Sequence, residues 1–224
     1  MTMIDEYLKY QQDAEKKYGK NTIVFYENGT FYEIYGVENE EENVGNARNV
    51  STILNVAITK KNKKIPEISR KNPLLVGVPT AHADKHIKTL IQNGFTIVFI
   101  EQITAPPNPK RGLTKVLSPS TYIGEEIKGD NCYCLSIYME TIRDKNGKVN
   151  IGVGMTAYDM TTGEGIYYET MTKNSDLDII FEEIYRFMES IDPKEVILHS
   201  KNCGIFSVNE IKDNLELYQI FQSR

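Results

Sequence analysis

Phe31 and Glu33 are the two residues whose types and spacing most directly suggest chemistry. They follow the Asn28-Gly29 turn in the segment NTIVFYENGTFYEIYG. In a β-strand, residues two apart share a face, so an aromatic ring would stand beside a carboxylate. Such a ring can enter the minor groove of a duplex and unstack a base step. The same residues are typical of a half-buried hairpin, and the segment alone favours that interpretation.

Lysine and arginine cluster in two stretches of the first half. One contributes Lys60, Lys61, Lys63, Lys64, Arg70 and Lys71, and the other contributes Lys110, Arg111 and Lys115. Residues 1 to 120 hold 16 Lys and Arg against 13 Asp and Glu (+3), and residues 121 to 224 hold 10 against 18 (−8). Clustered cations suit phosphate contacts, which give affinity without sequence preference. A solvated lysine-rich surface is the alternative.

His82 and His86 are spaced like zinc ligands on a helix, four residues apart. No Glu follows His82 and no third ligand is evident, so an ordinary helix face is the favoured interpretation. The chain also lacks a G-x-x-x-x-G-K-[ST] phosphate loop. The sequence therefore predicts no metal site and no catalytic residue.

Asp159 is a carboxylate with two possible roles. It lies beside the turn at 161–163, where an Asp commonly accepts hydrogen bonds from turn amides, and we favour that role. An RNase H-type nuclease would instead use it, with Glu182 and Glu183 from the following helix, to hold two metal ions. The nuclease alternative stays open.

Hydrophobic periodicity predicts the elements that position these residues. In the first half they are a helix at 3–18, strands at 22–26 and 30–35, a helix-like stretch at 40–54, strands at 56–59 and 74–78, a helix at 82–93 and a strand at 95–100. This alternation indicates a mixed α/β domain. Between Thr104 and Tyr122 the pattern breaks, and four of the eight prolines fall there, which predicts a domain boundary.

The second half has a different order. Three strands joined by the tight turns DKNGK and TTG precede a helix at 177–191 and a short strand, EVILH. Three antiparallel strands followed by a helix and a further strand are an RNase H-like order.

Five short motifs occur in one order along the first 121 residues: GTFYE, AITKK, VGVPTAHA, FIEQ and SPST. Together they resemble the mismatch-recognition domain that opens MutS, the DNA mismatch-repair sensor. The segment AYDMTTGE at 157–164 is similar to a hairpin of the connector domain that follows it in that family. Thr30, where the family usually has Asp, and Ser120, in place of a Gly, depart from the pattern.

The resemblance implies roles for single residues. Phe31 is expected to insert from the minor groove at a mispaired or unpaired base and to stack on it, while Glu33 hydrogen-bonds that base. The other expected DNA-binding residues are Lys60, Lys61, His82, Lys110, Arg111 and Lys115. The implied ligand is double-stranded DNA with mismatches or small loops. In the full-length protein the implied partners are a second MutS-type subunit and a downstream repair factor.

The expected organisation is a mixed-sheet α/β mismatch-binding domain at 1–118, a linker at 119–130 and an RNase H-like connector domain at 131–224. No cofactor is expected in this chain, because ATP and Mg belong to the C-terminal part of family members, which it lacks. We expect it not to be an enzyme. A metal-dependent nuclease and a non-DNA interaction module with Phe31 in its core are the rival functions.

Composition predicts the compartment. No apolar run approaches the roughly 20 residues of a membrane span, and the N-terminus MTMIDEYLKYQQ lacks a signal-peptide pattern. Cys132, Cys134 and Cys203 lack zinc-ligand spacing and fit reduced thiols. We expect an intracellular protein in the cytoplasm, the nucleus or another DNA-containing compartment, away from membranes.

Overall fold

A computed structural model of the chain describes residues 2–105, 109–122, 132–172, 176–201, 208–215 and 221–222. The chain divides into two compact units, Met1–Ser118 and Pro119–Arg224. Most of the predicted linker at 119–130, and Cys203, lie outside the described residues. None of the helices in the described part combines the length and the apolar content that a bilayer crossing demands.

The first unit is built on one mixed sheet. Its elements are α1 (Met3–Tyr18), β1 (Thr22–Asn28), β2 (Phe31–Glu38), β3 (Asn43–Gly45), α2 (Ala47–Leu54), β4 (Thr59–Lys60), β5 (Leu74–Pro79), a 3-10 turn (Thr80–His82), α3 (Ala83–Gln92), β6 (Thr96–Gln102) and β7 (Arg111–Leu117). The strand order is β4-β5-β2-β1-β6-β7, with β3 paired to β2. Among the described strands of this unit, only β1 and β6 pair in parallel.

Two predicted elements of this unit are wrong in their bounds, and one strand was not predicted. The helix predicted at 40–54 begins only at Ala47, because Gly45 has φ +81° and any Cβ there would meet the carbonyl oxygen of Tyr35. The strand predicted at 56–59 is reduced to Thr59–Lys60. β7 lies inside the stretch where no element was predicted, as an edge strand of the sheet.

Helix α1 packs on the sheet through a buried glutamine. Gln11 Nε2 donates to the Thr22 carbonyl (2.6 Å), and Gln11 Oε1 accepts from the Val24 N–H (2.9 Å), so the helix takes up polar groups of β1. Beside it, the Tyr7 ring meets the rings of Tyr26 and Tyr35 edge to face. These rings lie on the face of the sheet that α1 covers.

The second unit contains the other mixed sheet. Its elements are β8 (Tyr133–Arg143), β9 (Val149–Asp159), β10 (Gly165–Thr172), α4 (Leu177–Ile191), β11 (Glu195–Lys201), α5 (Val208–Asn214) and β12 (Phe221–Gln222). The order is β10-β9-β8-β11-β12, with β11 parallel to both neighbours. The predicted antiparallel strands, helix and following strand are all present, and the two sheets confirm the mixed α/β class.

Candidate nucleic-acid interface

Phe31 is the first residue of β2, directly after a two-residue loop. The last paired residues of the hairpin are Asn28 and Phe31, so the loop is Gly29-Thr30 rather than Asn28-Gly29, and only Gly29 has a positive φ (+63°). The Phe31 side chain is 44% exposed and lies over Gly77 of β5, where a Cβ would be 3.4 Å from the ring. Phe31 is therefore not a core residue.

Glu33 is fixed beside Phe31 on the same face. Its Oε2 accepts hydrogen bonds from Asn28 Nδ2 (2.8 Å) and from the hydroxyl of buried Tyr35. Burial, and then the bond to Glu33, raise the pKa of Tyr35 far above its usual value, so this hydroxyl stays a donor. Glu33 Oε1 accepts no hydrogen bond from the described residues. One carboxylate oxygen remains for an external donor.

The strand ends at which β1 finishes and β2 starts form one end of the sheet, which we call the wedge end. The face of the sheet that carries Phe31 and Glu33 is called the wedge face. Arg111, which pairs with Gln102, lies at this end, and its guanidinium stands 4.9 Å from the centre of the Tyr26 ring on the wedge face. Arg111 Nε donates to the Glu27 carbonyl (2.9 Å). Its terminal nitrogens have no hydrogen-bond partner among the described residues. Arg111 is thus held in position while the four N–H donors of its two terminal nitrogens remain unused by the described residues.

His82 and Lys110 also lie at the wedge end. His82 closes the 3-10 turn after β5 and is exposed, and the Thr80 N–H donates to the Thr30 carbonyl (3.0 Å), which ties this turn to the hairpin loop. Lys110 is exposed just before β7, and its N–H donates to Thr104 Oγ1 (2.7 Å). Five of the predicted residues therefore lie at the wedge end: Phe31, Glu33, His82, Lys110 and Arg111.

Lys115 does not belong to this group. Its ammonium lies 5.9 Å from the centre of the Phe99 ring, which packs with Phe25 and Tyr32. Tyr32 alternates with Phe31 along β2, so these rings occupy the face opposite the wedge face. The Lys115 ammonium therefore lies on the face opposite Phe31 and Glu33.

Lys60 and Lys61 lie at the far end of the sheet. Lys60 pairs with Leu74, whereas Phe31 pairs with Pro79, so five residues of β5, or roughly 17 Å, separate them. That length corresponds to about five base pairs of duplex at 3.4 Å per step. Lys60 is half-buried and its ammonium donates to the Pro66 carbonyl (3.1 Å), whereas Lys61 is exposed.

The residues from 61 to 72, which we call the lysine loop, are shaped by buried Asn72. Asn72 Oδ1 accepts from the Asn62 N–H (2.7 Å), and Nδ2 donates to the carbonyls of Glu67 (2.9 Å) and Ile65 (3.2 Å). The loop presents four exposed ammonium groups, those of Lys61, Lys63, Lys64 and Lys71.

Arg70 belongs to the basic stretch in which we expect phosphate contacts, but its guanidinium is already bonded to acidic side chains. Its guanidinium pairs with both carboxylate oxygens of Glu42 (2.8 to 3.0 Å) and lies 3.6 Å from Asp5. An exposed pair adds little to stability, but it partly neutralises the charge of Arg70. The lysines carry the positive charge of this loop.

Comparison with known proteins shows the family of this chain. Residues 3–126, more than half of the chain, match the family model described as MutS domain I. The chain belongs to the MutS family. The DNA mismatch repair protein MutS of Thermodesulfovibrio yellowstonii is 33% identical over 187 residues, which cover 82% of this chain and 18% of that protein.

Two further relatives are matched over a similar share of their own length. A mutS homolog of Acanthamoeba polyphaga mimivirus is 26% identical over 220 residues (96% of this chain, 19% of that protein). The DNA mismatch repair protein MutS of Clostridium beijerinckii is 26% identical over 216 residues (94% and 20%). This MutS-family chain spans about a fifth of the length of the curated relatives it matches.

Asp159 of this MutS-family chain acts as a turn residue. It is buried, and its Oδ1 accepts from the N–H (2.7 Å) and hydroxyl (2.6 Å) of Thr161, while Oδ2 accepts from the Cys132 N–H (3.3 Å). Glu182 pairs with Arg186. Within the described part of the chain, no three His, Cys, Asp or Glu side chains come together as metal ligands would. The geometry therefore gives the nuclease alternative no support.

Sequence reasoning missed three residues that shape the interface. Tyr35 lies two positions after Glu33, so strand alternation could have indicated it as a partner of the carboxylate. Asn28 was assigned to the turn, yet its amide holds Glu33. Asn72 carries no periodic signal, and only its buried hydrogen bonds reveal it.

Proposed function

We propose that this chain recognises mismatched or looped double-stranded DNA in mismatch repair, with the wedge end of the first unit as the reading surface. The observation that carries the proposal is that Phe31 and Glu33 lie side by side on one face of β2. A 44% exposed ring at the start of a paired strand stands beside a carboxylate with one oxygen unengaged. Family membership supplies the duplex as the ligand.

Phe31 enters the minor groove and stacks on a mispaired or unpaired base. A mismatched step is already poorly stacked, so unstacking it costs less than at a paired step. A saving of roughly 1–3 kcal/mol corresponds to about five- to a hundredfold in binding. Phe31 thereby turns the deformability of the duplex into selectivity.

Glu33 hydrogen-bonds the displaced base and opposes binding elsewhere. An ionised carboxylate among phosphates is repelled unless a base gives it a hydrogen bond, directly or through a proton shared with an acceptor nitrogen. Asn28 and Tyr35 hold one oxygen in place, so the unengaged oxygen would face the base.

The basic residues supply affinity without selectivity. Arg111, Lys110 and His82 would hold the backbone next to the wedge, and the exposed residues of the lysine loop would hold it about five base pairs away. Lys60 and Lys115 would add weaker contacts from the loop base and from the opposite face.

We further propose that the second unit is an RNase H-like connector that relays the bound state. Its strand order supports this assignment, because three antiparallel strands are followed by β11, which pairs in parallel with β8, and by β12, which pairs in parallel with β11. In the whole protein, ATP and Mg would act in other parts, together with a second MutS-type subunit and a downstream repair factor. The chain itself is a binding module rather than an enzyme.

Binding to matched and mismatched duplexes at low salt tests the wedge. Phe31→Ala should abolish the mismatch preference and cost roughly 1.5–2.5 kcal/mol of stability, about half the cost at a fully buried Phe. Leu113→Ala, which removes a 54% exposed side chain from β7, is the matched control and should keep the preference. Glu33→Gln should tighten binding to matched duplex and reduce discrimination.

Two outcomes would contradict the proposal. One is a Phe31→Ala protein that melts much earlier but keeps its mismatch selectivity, as expected of a core residue. The other is a wild-type chain that binds both duplexes equally under every salt condition in which binding is measured.

A further inference from the structure

The second unit carries a groove on the face of its sheet that does not pack on α4. The groove has a volume of about 480 Å³, within the range of ligand sites. Its walls are side chains of β8 and β10, and its floor is the middle of β9. The core side chains of these strands, such as Ile137 and Met155, point to the other face.

Two glycines form the floor. Gly152 pairs with Glu140 and Met171, and Gly154 pairs with Tyr138 and Glu169. Glycine weakens the interior of a strand and often marks a place where a ligand or another backbone approaches closely. Gly152 has a packing explanation, because a Cβ would be 3.1 Å from Ile142 Cδ1, but a Cβ at Gly154 would meet nothing within 4 Å. The fold itself gives no reason for glycine at 154.

The walls combine negative charge with apolar surface. Glu140 and Glu169 stand on opposite sides of the glycines, and neither forms an ion pair with a described residue. Glu140 Oε2 accepts one hydrogen bond, from the Tyr138 hydroxyl (2.9 Å). Ile142 (38%) and Met171 (57%) are exposed beside them. A cation with apolar neighbours would complement these walls.

We infer that this groove binds an extended, basic segment of a partner protein, with an Arg or Lys side chain between Glu140 and Glu169 and apolar neighbours against Ile142 and Met171. The bare glycine floor lets the segment lie close to β9. The net charge of −8 over residues 121 to 224 disfavours nucleic acid as the occupant. This inference does not depend on mismatch recognition by the first unit.

Titration of the whole chain with a synthetic peptide tests the groove. The probe is a fluorescein-labelled hexapeptide of alternating Val and Arg, and its control carries Glu in place of Arg. Gly154→Val should fill the groove without strain and weaken binding of the Arg peptide at least tenfold, as measured by fluorescence anisotropy. Thr156→Val, on the same face of β9 but outside the groove, is the matched control and should bind like the wild type.

The carboxylates give an independent measurement. Glu140→Gln and Glu169→Gln should each weaken the Arg peptide about two- to fivefold and flatten its salt dependence. Amide shifts in ¹⁵N spectra should centre on Gly152 and Gly154. No binding at millimolar peptide, equal binding of the Arg and Glu peptides, or an unaffected Gly154→Val protein that folds would overturn the inference.

Discussion

Replacing Asn72 by Ala removes the side chain that shapes the lysine loop. Three hydrogen bonds are lost, to the Asn62 N–H and to the carbonyls of Ile65 and Glu67. At a net 0.5–1.5 kcal/mol each, and with water able to replace part of the loss, the loop should be destabilised by roughly 1.5–3 kcal/mol. Its open form should therefore become about ten- to a hundredfold more populated.

Limited trypsin digestion measures this opening, because the loop carries exposed lysines and cleavage follows the population of the open form. We expect cleavage within residues 61–72 to accelerate at least tenfold in Asn72→Ala. Asn62→Ala is the matched control, since its side chain accepts one exposed hydrogen bond, from the Lys64 N–H. Equal cleavage rates in wild type and Asn72→Ala, or equal acceleration in both variants, would refute the role assigned to Asn72.

Two further predictions concern the charges. Replacing Lys61, Lys63 and Lys64, three of the four exposed loop lysines, by Gln should weaken matched and mismatched duplexes alike and lower the salt slope of binding by about 2–3. The same change at Lys9, Lys16 and Lys20 is the control, and equal effects would contradict a specific role for the loop lysines. Burial alone would raise the pKa of Asp159, but hydrogen bonds from Thr161, Cys132 and Thr162 lower it below its ordinary value. The ionised Asp159 therefore stabilises the fold fully above about pH 4, and this stabilisation is lost as the pH falls through the lowered pKa. Thermal melts between pH 3 and 6 should show this loss in the wild type and not in Asp159→Asn, and parallel pH profiles would show that Asp159 contributes nothing.

Much of the first unit could be predicted because its strands and helices carry strong periodicity. The hairpin follows from its turn residues, α3 from the helical spacing of its apolar residues and β6 from its apolar run, and the family motifs indicate Phe31 and Glu33. The strand β7 was not predicted, because its sequence, RGLTKVL, has exposed residues at its centre and follows a proline-rich stretch. An edge strand of this kind is defined by its pairing with β6 rather than by its own pattern.

The placement of the basic residues could not be predicted, because it depends on strand register. Lys60 pairs with Leu74, and Phe31 pairs with Pro79, at opposite ends of β5. This register places the lysine loop at the far end of the sheet from Phe31. The ion pair of Arg70 with Glu42 joins residues 28 positions apart, beyond any local signal.

The pairing of β2 on both sides has a mechanical consequence. From Phe31 to Gly36 this strand is bonded to β5, and from Phe31 to Glu33 it is also bonded to β1. A force on the Phe31 ring is therefore shared by three strands, although the two-residue loop Gly29-Thr30 directly precedes it. If the first unit binds a duplex as proposed, we expect the deformation to fall on the nucleic acid, so its energy cost would vary with the sequence and the lesion.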